Sequence, residues 1–256
     1  GVRRIRASGA QACRPTPEAE GLACGGPTPA PYNVPMANPP FPTESGTLLL
    51  DGPAGALEVA VDLPDPAEAR ALTAVVCHPL PTEGGTMHNK VVTMVARALR
   101  ELGATTVRFN FRGTGASEGA FDHGVGERED LRAVVDWVRA ARPADALWLA
   151  GFSFGSYVTL SAAAGLQPDA LISIAPPASG RGWDFGPIEV PEVPWLVVQG
   201  DADEIVDPQA VYDWIDGLPR KPQLVRMVDT SHFFHRKLID LRGAIQHEVK
   251  AWLPQA

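Results

Sequence analysis

The chain has 256 residues, 45% of them hydrophobic, and a formal charge of −8 at pH 7. That length suffices for one large α/β domain with its own core, and the acidic balance argues against non-specific binding to nucleic acid or an anionic membrane. No apolar run approaches the roughly 20 residues that span a bilayer, so the expected partner is a small molecule, and the oligomeric state stays open. The three cysteines, Cys13, Cys24 and Cys77, are an odd number without metal spacing. They point to a reducing, cytoplasmic compartment with no disulfide framework and no metal or other cofactor.

Residues 1–45 differ from the rest. Nine prolines (Pro15, Pro17, Pro27, Pro29, Pro31, Pro35, Pro39, Pro40 and Pro42) stand among Gly, Ala and Thr without apolar periodicity. Such a stretch buries too little surface to offset its ordering entropy, and disorder is expected. Arg3-Arg4 has no apolar segment behind it and is not a twin-arginine signal. Met36 directly precedes the run into the first strand, so natural translation is expected to start there, leaving residues 1–35 outside the native chain.

Residues 46–256 read as the folded domain. Leu57 to Val61 alternates with period two, as a half-exposed edge strand does. Leu72 to Cys77 is a continuous apolar run, the pattern of a buried parallel strand. Val91 to Leu102 has helical spacing and closes at Gly103, and Thr106 to Phe111 is the next strand. Leu131 to Val138 is an amphipathic helix opened by Glu127, Glu129 and Asp130, where negative charge suits the helix start. Strands at Leu147–Phe152, at Ala170–Ile174, at Trp195–Val198 and at Leu224–Val228 follow, with helices after Ser153, around Ala210–Ile215 and from Leu238 to Trp252. Alternating strands and helices predict a mainly parallel central sheet with helices on both faces. Ligands of such sheets bind beyond the carboxyl ends of the strands.

The stretch Gly151-Phe152-Ser153-Phe154-Gly155 joins an apolar strand directly to a helix. A serine on that sharp turn is lifted to the top of the sheet beside the free N–H groups of the helix start. Ser153 is therefore the candidate nucleophile. Gly115-Ala116-Ser117-Glu118-Gly119 has the same five-letter pattern but neither a strand immediately before it nor a helix after it, so Ser117 is set aside.

A serine hydroxyl needs a histidine to take its proton and a carboxylate to orient that histidine. The strand ending at Gln199 is followed by Asp201, Asp203 and Glu204, with Asp207 further on. The strand ending at Val228 is followed by His232 and His235. Asp203 and His232 fit best, in the order Ser, acid, His. Asp201 suits the turn itself, and His235 suits the start of the last helix. A zinc site at His232 and His235 lacks a third ligand. For the oxyanion, Phe154 supplies one backbone donor and Leu80 the other, because its neighbours Pro79 and Pro81 have no N–H. His78 is read as structural, and His88 and His123 as loop residues. Arg112 is expected to pair with a nearby carboxylate. Phe152, Phe154, Trp183, Phe233 and Phe234 are either acyl-pocket or core residues.

His78-Pro79-Leu80-Pro81, Gly84-Gly85-Thr86-Met87, Asn89-Lys90, Asn110-Phe111-Arg112-Gly113 and the Gly151–Gly155 elbow together resemble small, capless bacterial α/β-hydrolases of the esterase-like or dienelactone-hydrolase-like kind. The resemblance implies an α/β-hydrolase fold without a substantial lid domain, and a serine hydrolase with Ser153, Asp203 and His232 as the triad. Dienelactone hydrolases carry cysteine at the nucleophile, so serine here weakens transfer of their substrate. Hydrolysis of small carboxylic esters through an acyl-serine is the expectation. A thioesterase or other acyl hydrolase, or a non-catalytic binding protein of the same fold, are the alternatives.

Overall fold

A computed structural model describes residues 38–178, 180 and 182–255. The expectations for residues 1–37, including Cys13, Cys24 and Met36, lie outside the described residues. The described residues all lie in one compact unit.

Eight strands build the sheet: β1 Gly46–Gly52, β2 Gly55–Asp62, β3 Leu72–Cys77, β4 Thr105–Phe109, β5 Ala146–Phe152, β6 Ala170–Ile174, β7 Trp195–Gly200 and β8 Gln223–Met227. Their order is β1-β2-β4-β3-β5-β6-β7-β8. β1, β2 and β4 pair antiparallel, and every later pairing is parallel. The helices are α1 Lys90–Arg100, α2 Val125–Ala141, α3 Phe154–Leu166, α4 Pro208–Gly217 and α5 Leu238–Val249.

Each strand sends alternate residues to opposite faces. On β5, Leu147 and Leu149 join a core with Leu131 and Val134 of α2 and Val158 of α3. Trp148, Ala150 and Phe152 join a second core with Val91 and Val95 of α1 and Leu241 and Ile245 of α5. Two cores on one sheet explain why β3, β5, β6 and β7 are buried along essentially their whole length.

Two expectations are corrected. The edge strand is β1, and β2 lies between it and β4. The polar residue of the β2 alternation, Glu58, does not simply face water: its Oε2 accepts from the Asn110 side chain (2.7 Å) and the Ala116 amide (2.8 Å). Residues 38–45 belong to the proline-rich stretch by composition yet pack on the domain. The Trp137 indole donates to the Pro39 carbonyl (2.9 Å), Phe41 stacks on Trp137 at 4.7 Å, and Ser45 Oγ accepts the Leu63 amide (2.9 Å).

The register places the functional loops. Cys77 pairs opposite Gly151, Phe152 opposite Ile174, and Gly200 opposite Met227. The chain therefore leaves β3, β5, β6, β7 and β8 at one level, and the loops that follow converge on one edge of the sheet. Between Ile174 and Trp195 no helix or strand intervenes among the described residues.

Candidate active site

Ser153 has φ 51° and ψ −120°, a positive-φ geometry that β-branched or bulky residues avoid. Such strain persists only where the surroundings enforce it, and here three contacts do. The Ser153 amide donates to Ile174 O (2.8 Å), and Ser156 Oγ donates to Gly151 O (2.7 Å) and to Ile174 O (3.1 Å). Ser156 thus braces the elbow from inside α3, a role with no signature in the sequence. The two flanking glycines are required by space: a Cβ on Gly151 would collide with the Gly155 carbonyl, and one on Gly155 would collide with Cys77 O and lie 2.7 Å from His78 O. The second contact seats the start of α3 directly against the loop that leaves β3.

That loop is held by His78, which is fully buried. The Phe111 amide donates to its Nε2 (3.0 Å), so the ring proton sits on Nδ1 and is donated to Pro79 O (2.6 Å). Burial lowers the His78 pKa to about 4, against the bond to Pro79, which favours protonation. The carbonyl and the N–H of one trans peptide point in opposite directions, so fixing Pro79 O also fixes the direction of the Leu80 N–H. Phe154 N–H, the first of α3, has no intrahelical acceptor by the geometry of a helix start. The loop that carries Leu80 and the start of α3 that carries Phe154 meet where Gly155 abuts the Cys77 and His78 carbonyls.

Asp203 and His232 meet. His232 Nδ1 lies 2.8 Å from Asp203 Oδ2, with both residues buried. The imidazole packs against Phe152, the residue before Ser153, with centroids 5.0 Å apart. The other Asp203 oxygen accepts the amides of Ile205 (2.9 Å) and Val206 (2.7 Å), and Oδ2 also accepts from Gln199 Nε2 (3.0 Å). Burial by itself would raise the Asp203 pKa, but the bond and charge of His232 and the two backbone amides outweigh it and hold the carboxyl below its usual range.

The competing residues have other work. Asp201 accepts the Asp229 amide (2.7 Å), Glu204 accepts the His232 amide (3.1 Å), and Asp207 caps α4 through the Gln209 amide (3.0 Å). Ser117 is latched between Glu58 N (2.9 Å) and Asn110 O (2.6 Å). Arg112 pairs with the buried Asp130 at 2.7 Å. Phe152, Phe154 and Phe234 are core, whereas Phe233 is 38% exposed and Trp183, half-buried, packs on Phe154.

A cavity of about 390 Å³ lies between the start of α1 and the loop before α5, lined by Asn89, Lys90, Val91, Phe233, His235, Arg236 and Leu238. A larger one of about 940 Å³ opens around Trp195, where β7 begins, at the opposite end of that strand from Asp203. Among the described residues no cluster of His, Cys, Asp or Glu is suited to a metal ion, and no helix is long and apolar enough to cross a membrane.

The eight-stranded, mainly parallel sheet with a serine at the strand-to-helix elbow and no lid domain defines an α/β serine hydrolase. The chain belongs to the α/β-hydrolase family described by the X-Pro dipeptidyl-peptidase (S15 family) model, which matches residues 51–186. It is 70% identical to a lidless α/β serine hydrolase of Xanthomonas campestris, over 86% of this chain and 100% of that one, with a TM-score of 0.83. An α/β serine hydrolase homologue of Coxiella burnetii is 44% identical over 81% and 98% of the two chains, with a TM-score of 0.77. An uncharacterized protein of Rickettsia prowazekii is 34% identical over 181 residues, 67% of this chain and 76% of its own.

Proposed function

We propose that this hydrolase cleaves small carboxylic esters through an acyl-serine intermediate, with Ser153 as nucleophile, His232 as base and Asp203 as the acid that orients it. The observation that carries the reading is the 2.8 Å contact of His232 Nδ1 with Asp203 Oδ2 beneath a ring packed on Phe152. An ionised Asp203 accepts only, so the neutral imidazole keeps its proton on Nδ1 and presents the Nε2 lone pair for the Ser153 hydroxyl. Ser153 Oγ attacks the ester carbonyl while His232 takes its proton. The oxyanion is met by the N–H groups of Leu80 and Phe154. Collapse expels the alkoxide, which His232 protonates. Water, deprotonated by His232, then releases the acid and regenerates Ser153.

The S15 match favours a second reading, cleavage of peptides after an N-terminal Xaa-Pro pair. Such substrates bring a cationic amine. The cavity lined by Phe233, the residue after His232 in the chain, carries Lys90 and Arg236 and no carboxylate, so it offers such a cation no partner. Thioester cleavage uses the same nucleophile, base and oxyanion donors. The cytoplasm is proposed as the place of action, on the fully buried free thiol of Cys77.

Labelling with a fluorophosphonate probe and peptide mapping tests the nucleophile. Label on Ser153 in the wild type and none on Ser153→Ala is expected. Chromogenic acetate and butyrate esters, a thioester and an Xaa-Pro anilide should then be compared at equal enzyme concentration. Turnover of the anilide above that of the esters would replace the esterase reading with the peptidase one, and a folded protein without label would sink the triad.

A further inference from the structure

Gln199 stands at the carboxyl end of β7, fully buried in a strand whose other residues, Trp195, Leu196, Val197, Val198 and Gly200, carry no ionisable side chain. Its Nε2 donates to Gly200 O (3.1 Å) and to Asp203 Oδ2 (3.0 Å). Its Oε1 is buried without a partner among the described residues. The orientation of the amide follows from these contacts: turned over, Oε1 would face two acceptors, Gly200 O and the Asp203 carboxylate. An orphaned buried carbonyl oxygen is costly, and it is retained here where both N–H groups are aimed at the acid loop. An apolar side chain would fill the site without that cost.

Building on the triad reading above, we propose that Gln199 is a positioning residue for Asp203, sharing Oδ2 with His232 and thereby setting both the orientation of the carboxylate and the basicity of the imidazole. The four acceptor directions of Asp203 are filled by Ile205 N, Val206 N, Gln199 Nε2 and His232 Nδ1. A donor on Oδ2 draws negative charge from the oxygen that faces His232 Nδ1–H. The imidazolium is then held less tightly than by a carboxylate bonded to histidine alone. The remaining ionisable groups around this bond are Glu204, which takes the His232 amide, Asp201 on the same loop, Tyr212 of α4 with Arg226 of β8 against its ring at 3.8 Å, and His235 beyond Phe233. All of them remain when only Gln199 is changed.

The test is the titration of His232, followed by its ring signals in NMR, in wild type, Gln199→Met and Gln199→Leu, together with kcat/KM against pH on a soluble ester. Both variants should move the His232 midpoint and the acid limb of kcat/KM upward by about half a pH unit or more, with kcat falling several-fold and KM little changed. In the wild type, which needs no variant to fold, the Gln199 side-chain amide protons should shift with the same midpoint as His232. A His232 midpoint unchanged in the variants, or wild-type amide protons that do not respond to it, would reduce Gln199 to core filling. If the wild type turned over no ester and took no label, the esterase reading would fail, while the titrations would still decide the part played by Gln199.

Discussion

His78 shows how one buried ring serves both stability and the site. It ties the Phe111 amide, just past β4, to the Pro79–Leu80 peptide, just past β3. Both bonds need the neutral ring with its proton on Nδ1, and burial lowers the pKa to about 4 from an ordinary 6.5. A histidine whose folded pKa is depressed contributes stability that is complete above the unfolded pKa and is lost as pH falls toward the folded one. Between pH 6.5 and pH 4 this residue alone should therefore cost roughly 3 kcal/mol, at about 1.4 kcal/mol per unit. Asp203, also depressed, contributes in the same direction but at lower pH, below the ordinary carboxylate pKa. Urea denaturation at about pH 7 and about pH 4.5 measures the His78 share. His78→Gln should be less stable at neutral pH and show a flatter pH dependence, and a wild-type slope preserved in the variant would assign the acid sensitivity to other groups. The same variant frees the Pro79–Leu80 peptide, so a fall in kcat at neutral pH is expected with it.

At the scale of elements, the elbow depends on how closely α3 approaches β3. A Cβ on Gly155 would press on the backbone oxygens of Cys77 and His78, which cannot swing aside as a side chain can. Gly155→Ala should push the start of α3 away from the Leu80 loop, costing about 2 kcal/mol or more and lowering Tm by roughly 5 °C. Activity should fall at least about tenfold, because Phe154 N–H moves with the helix; a thermal melt and steady-state kinetics read both effects. These glycines, and the order of Ser153, Asp203 and His232 past three strands, were legible in the sequence because each rests on local pattern: an apolar run, a turn, a helix start. What was illegible depends on partners far along the chain. Glu58 has the alternation of a solvent-facing strand residue, yet it holds Asn110 and Ala116, 52 and 58 residues away. Ser156 and Gln199 look like ordinary members of a helix and a strand until Ile174 and Asp203 are set beside them. The strand pattern also could not tell which of β1 and β2 forms the edge, since period two reports one buried face and says nothing of neighbours.

Across the whole molecule the two ends of the sheet divide their duties. Ser153, Asp203, His232 and the Leu80 loop lie past the carboxyl ends of β5, β7, β8 and β3. The amino ends of β3 and β5 carry a separate fastening: Asp145 Oδ2 accepts from Thr73 Oγ1 (2.6 Å) and from Arg142 Nε (2.6 Å), and the Arg142 guanidinium sits over the Phe41 ring at 5.4 Å. Phe41 in turn stacks on Trp137 near the end of α2. Proline-rich composition misleads here because residues 38–45 dock through the Phe41–Trp137 stack, the indole bond to Pro39 O and the Leu63 bond to Ser45, and none of these produces periodicity. Removing the ring tests whether the fastening is mechanically separate from the chemistry. Phe41→Ala should destabilise the domain by about 1–2 kcal/mol, less than a fully buried Phe would cost because this one is half-buried. Its kcat and KM at room temperature should match the wild type, since the chain runs the full length of β3 or β5 between Phe41's contacts and the loops that hold the site. A change in kcat comparable to that of Gly155→Ala would instead show that strain at the amino ends of the strands is transmitted through the sheet to the elbow, as close-packed interiors permit.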